Sequence, residues 1–158
     1  MLTAVGLGPG DAELLTLKAV RLLSEADTVF VPGGIASELV KPYAREIVVL
    51  EFPMTRDEEV ITACMERNAE KIVPVAKAGK AVFGLIGDPN YYSTFSRLAE
   101  MVRERYPGLE VETVPGISFI TAVASHARVP VNGAFLVTGG LADPATKIQV
   151  TTAENRRI

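Results

Sequence analysis

Ala81-Val82-Phe83-Gly84-Leu85-Ile86 is almost wholly apolar and runs straight into Gly87-Asp88-Pro89. A short apolar run with no polar alternation reads as a strand buried on both faces, and such strands sit at the centre of parallel sheets. Other short runs rich in β-branched and apolar residues accompany it along the chain. Leu2–Leu7, Thr28–Val31, Glu46–Phe52 and Leu109–Val114 each end at or near Gly or Pro or a polar turn. Between them the apolar spacing becomes helical. Asp11–Ala26 carries Ala12, Leu15, Ala19, Leu22, Leu23 and Ala26 on one face, and Ser37 is placed to cap a short helix to Tyr43. Thr55 or Asp57 caps a long helix with the stripe Ile61, Met65, Ala69 and Val73, which Pro74 is expected to kink or end. Tyr91–Tyr106 and Ile117–Ala127 complete the set.

Strand and helix alternating five times predicts an α/β fold, an open, mostly parallel sheet with helices on both faces. It is expected to fill residues 1–116. Residues 117–158 read as a linker helix and the start of a second α/β domain that is cut short. Its two strands are expected at Ala134–Thr138 and Thr146–Thr151, with unpaired edges that recruit other chains or leave a disordered tail.

Composition excludes several function classes. Apolar residues make 48% of the 158 and charged residues 22%, which supports a packed core rather than disorder. A net charge of −3 with no basic run argues against nucleic acid. One cysteine, Cys64, and one histidine, His126, cannot build a Cys/His zinc site, and no protein-bound metal is expected. Cys64 falls on the helix face read as buried, where a thiol acts as a small hydrophobe. No apolar run approaches the roughly 18 residues of a membrane span. The opening Met1-Leu2-Thr3-Ala4 lacks a basic signal region, so a cytoplasmic protein without membrane partners is expected.

Three loops beyond strand ends carry the chemistry. In open α/β sheets ligands bind outside the carboxyl ends of the strands, near the topological switch point. Gly6-Leu7-Gly8-Pro9-Gly10-Asp11 lacks the third glycine of a dinucleotide fingerprint, because Asp11 stands there and repels pyrophosphate. No Gly-Lys-Ser/Thr follows, so a nucleoside triphosphate loop is absent. Asp11 reads equally well as a helix cap. In Gly87-Asp88-Pro89-Asn90-Tyr91-Tyr92-Ser93-Thr94, Asp88 is placed to cap the next helix with Pro89 at its first position. Two tyrosines and two hydroxyls then fall at one rim. In Pro115-Gly116-Ile117-Ser118, Ser118 begins a helix and faces the cleft, yet His126 lies two turns further on, roughly 10 Å or more away, so a Ser–His pair is a poor reading.

Taken together, Val5-Gly6-Leu7-Gly8-Pro9-Gly10-Asp11 with Glu13–Ala19, Gly87-Asp88-Pro89 and Val114-Pro115-Gly116-Ile117-Ser118 resemble the tetrapyrrole methylases. These are S-adenosylmethionine-dependent enzymes of cobalamin and sirohaem synthesis. Phe52–Asp57 and Tyr92–Phe95 look most similar to the branch that methylates C-20 of precorrin-2 or cobalt-factor II. The resemblance implies cofactor contacts at Pro9, Gly87, Asp88, Tyr91, Ser118 and Phe119. It places the tetrapyrrole over Gly8, Gly10, Pro32, Gly33 and Tyr92. It also implies a homodimer, a complete second domain, and a methyl transfer governed by alignment, for which Asp11 is the candidate proton acceptor. Two other readings remain: a non-catalytic fragment, and a family member with another acceptor, such as a diphthine synthase acting on protein.

Overall fold

A computed structural model of the chain describes residues 1–133. The expected strands at 134–138 and 146–151 lie outside the described residues. Met1–Phe119 forms one compact unit, and Ile120 onward is grouped in a second.

The first unit is a five-stranded sheet of β1 (Leu2–Gly6), β2 (Thr28–Val31), β3 (Ile47–Val49), β4 (Ala81–Leu85) and β5 (Val111–Val114) in the order β3-β2-β4-β1-β5. All its strand pairs are parallel, as the apolar runs require. β4 is the central strand and is buried throughout. Side-chain alternation then feeds two cores. Phe30, Ala81, Phe83 and Leu85 face α3 (Glu58–Ala78) and α4 (Phe95–Arg105). Val29, Val31 and Val82 face α1 (Leu17–Glu25) and α2 (Gly34–Val40). The last helix, α5, spans Phe119–Ala127.

Strand positions agree with the sequence, but several helix boundaries differ. The segment expected as one helix from Asp11 is a 3₁₀ turn, Ala12–Leu14, followed by a break. Helix α1 starts only after Thr16, whose hydroxyl accepts from the Ala19 N–H at 3.1 Å. Asp11 caps the short turn instead, accepting from the Glu13 N–H at 2.9 Å. Ser37 lies inside α2 rather than at its cap, which is Gly33 at φ +88°.

Asp57 caps α3 through the Glu59 and Val60 amides. The Thr55 hydroxyl accepts from the Asp57 N–H at 3.1 Å. Pro74 does not end α3, which runs on to Ala78. Proline removes one N–H and crowds the preceding turn. The buried Ile72, Val73 and Ala76 hold the helix against the sheet on both sides of it. Cys64 is buried, and with Asn68 it donates to the Glu51 carbonyl, at 2.9 and 2.8 Å. That pair anchors the chain as it leaves β3.

Among the described residues no helix is long and apolar enough to cross a membrane.

Candidate active site

The site lies where the connections change sides. The chain leaves β1 and β2 for helices on one face of the sheet and leaves β4 for α4 on the other. The carboxyl end of β4, flanked by β1 and β2, is therefore the switch point, where an open α/β sheet offers a crevice.

Three loops converge there through main chain. Gly87 donates its N–H to the Gly8 carbonyl at 2.7 Å, and Gly8 returns a longer bond of 3.4 Å to the Gly87 carbonyl. This antiparallel bridge stitches the loop after β1 to the loop after β4. Gly6, Gly87 and Gly116 are packed so closely that a Cβ on Gly116 would stand 2.3 Å from the Gly87 oxygen. Gly87, at φ +79°, turns its vacant side-chain direction toward open space, with nothing within 4 Å. A ligand can thus meet bare backbone at that point.

Asp88 is 7% exposed. It does not cap α4, which begins seven residues later at Phe95. One carboxylate oxygen accepts from the Asn90 N–H at 2.8 Å. The other accepts from the Gly116 N–H at 3.1 Å, tying the loop after β4 to the loop after β5. A further bond, from the Asn90 amide to the Thr113 hydroxyl at 3.3 Å, runs in parallel. Tyr91–Thr94 form an irregular turn with Tyr92 at φ +50°, and the Ser93 hydroxyl accepts from the Phe95 N–H at 3.0 Å. These local bonds compete with helix and delay its start.

The other residues singled out by sequence surround this junction. Pro9 and Gly10 are half-buried, and Gly10 at φ +114° faces Ile35 at the head of α2. Asp11 is exposed beside them. Ser118 is half-buried and Phe119 is exposed, at the junction with α5. Tyr91 and Tyr92 are both more than half exposed. Pro32 and Gly33 lead into α2, on the opposite face of the sheet from the helix that Tyr92 precedes.

Tyr92 borders a cleft of about 460 Å³ between the starts of α3 and α4. Phe52, Pro53, Ile61 and Met65 form its apolar side, and Thr94 and Arg97 contribute to its polar side. Arg97 forms a bidentate pair with Glu58, at 2.7 and 3.2 Å. The Glu58 hydrogen bond, then its charge, and further the charge of Glu100 hold the guanidinium above its ordinary pKa. Arg105 pairs with Glu66 two turns along. The place of Arg97 in a cleft leaves no local mark in the sequence, since its partner is 39 residues away. The hints in the sequence are the family similarities of Phe52–Asp57 and Tyr92–Phe95, which both contribute to the cleft. No group of three or more His, Cys, Asp or Glu able to hold a metal occurs among the described residues.

The donor set is backbone amides and carbonyls, hydroxyls and aromatic edges, without a phosphate cradle. That chemistry fits a nucleoside-bearing sulfonium cofactor.

The chain is similar to known proteins. The "Probable cobalt-precorrin-2 C(20)-methyltransferase" of Methanocaldococcus jannaschii is 41% identical, over 80% of this chain and 56% of its own length. The precorrin-2 C(20)-methyltransferase of a Sinorhizobium species is 33% identical, over 82% of this chain and 58% of its own. The chain thus spans little more than half the length of these relatives. A Thermus thermophilus uroporphyrin-III C-methyltransferase, solved with S-adenosylhomocysteine, is 30% identical with a TM-score of 0.56. That match covers 78% of this chain and 47% of the solved one. The family model for tetrapyrrole (corrin/porphyrin) methylases matches residues 1–155, and the chain belongs to that family.

Proposed function

We propose that this chain supplies part of the cofactor cleft of an S-adenosylmethionine-dependent methyltransferase. Its substrate would be a tetrapyrrole, precorrin-2 or cobalt-factor II, methylated at C-20 in cobalamin biosynthesis. The observation that carries the reading is the three-glycine junction at the switch point, in a chain 41% identical to a protein of that name.

When bound, S-adenosylmethionine supplies a methyl group on an already activated leaving group. The protein's task is therefore alignment and exclusion of water. Pro9, Gly87, Tyr91, Ser118 and Phe119 are the residues to hold it, through bare backbone at Gly87 and an exposed aromatic face at Tyr91 and Phe119, with Asp88 in the same loop network. Gly8, Gly10, Pro32 and Gly33 offer the macrocycle a surface with few side chains, and Ile35 beside Gly10 adds apolar contact. Asp11, exposed at the rim, is the candidate to accept a proton from the methylated carbon. A cytoplasmic homodimer belongs to the same reading.

Calorimetric titration with S-adenosylhomocysteine tests the cofactor half, and transfer of labelled methyl to precorrin-2 tests the acceptor. Binding together with transfer to precorrin-2 supports the reading. Binding with transfer only to a protein acceptor overturns the substrate, and absence of binding overturns the cofactor assignment.

A further inference from the structure

Both carboxylate oxygens of Asp88 are engaged by its own protein. The residue is nearly buried, and both oxygens take backbone amides, from Asn90 and from Gly116. We propose that Asp88 is a positioning residue, one that sets the loop after β5 by gripping the Gly116 peptide and affects the cofactor through that loop. This rests on the reading of the site as a cofactor cleft.

The geometry gives the grip unusual reach. The peptide joining Pro115 and Gly116 is trans, since the described chain has no cis bonds. Its N–H and C=O must point in opposite directions across one plane. Holding the Gly116 N–H toward Asp88 therefore turns the Pro115 carbonyl away from Asp88. The peptide cannot settle elsewhere cheaply on the inner side, where Gly87 O and Gly6 Cα stand within 2.7 Å of a Cβ position on Gly116. Close packing limits how near the loop may come, and the Asp88 bond stops it from moving off. Ser118 and Phe119 follow two and three residues later, so their placement inherits the orientation of Gly116.

The test uses the whole chain as D88N, D88A and N90A. Asparagine keeps the shape and one acceptor, while alanine keeps neither. N90A removes only the Thr113 tie. Three quantities are read: exchange of the Gly116 amide, the urea midpoint, and affinity for S-adenosylhomocysteine. Loss of a charge-assisted bond is expected to speed Gly116 exchange and weaken affinity by about tenfold or more in D88A. D88N should fall between, and N90A should match wild type in Gly116 exchange. Weakened affinity with Gly116 exchange unchanged would mean direct contact and overturn the proposal. Exchange that rises equally at all core amides would mean a merely structural role and also overturn it. Should wild type bind no S-adenosylhomocysteine, the cofactor reading falls, and Gly116 exchange alone still decides whether Asp88 positions the loop. D88N keeps the test open if D88A fails to fold.

Discussion

Gly6 and Gly116 meet main chain to main chain: a Cβ built on Gly6 would lie 2.5 Å from the Gly116 nitrogen. No side chain fits between them. G116A is expected to cost about 3 kcal/mol or more, as overpacking against rigid backbone does. Gly108, by contrast, has nothing within 4 Å of its Cβ position and no left-handed φ. G108A should be neutral or stabilise by about 0.4–1 kcal/mol through the unfolded chain. Urea denaturation of both variants checks the contrast, and equal midpoints would contradict the packing.

Phe95 begins α4 and stacks on Phe83 of the central strand at 5.3 Å, with 1% of its surface exposed. F95A is expected to lose about 3–5 kcal/mol. A loss below about 1 kcal/mol in the same denaturation experiment would mean that the stack is not part of the folded core.

Pro74 sits on the exposed side of α3 and is carried by the packing of its neighbours. Alanine there would restore a helix amide and relieve the crowding. The intrinsic gain of up to about 3 kcal/mol is reduced by the greater freedom of the unfolded chain, so P74A should stabilise by about 1–2 kcal/mol. A lower melting temperature for P74A would show that the helix needs the proline.

Asn caps a turn as well as Asp does. D11N should therefore leave the urea midpoint within about 0.5 kcal/mol of wild type. If Asp11 accepts the proton, methyl transfer should slow by about a hundredfold while affinity for S-adenosylhomocysteine holds. An unchanged rate would leave Asp11 with the cap alone.

How much of this was legible in the sequence depends on how local the cause is. The strand Ala81–Leu85 announces both its burial and its central place by composition alone. The starts of α1 and α4 were placed too early, because Asp11, Asp88 and Ser93 spend side chains on nearby amides that would otherwise enter helix. The second partner of Asp88 is 28 residues away and leaves no mark in a sequence pattern. Glu58 stands three residues after Thr55, the spacing of a capping box, but its carboxylate reaches across to Arg97. Whether Pro74 breaks α3 is settled by the core beneath it, which helical periodicity does not weigh.

The strand order also sets a timetable for synthesis. Leu2 is paired with Ala81 on one side and Val111 on the other, never with the neighbouring β2. As the chain leaves the ribosome, β1 has no partner in this sheet until β4 follows, and its second flank stays open until β5 does. Such distant pairings fold slowly, and an apolar strand waiting alone is a target for aggregation. The nascent segment through Ala78 carries three strands, of which only β2 and β3 can pair with each other. The sheet closes only once β4 enters its middle.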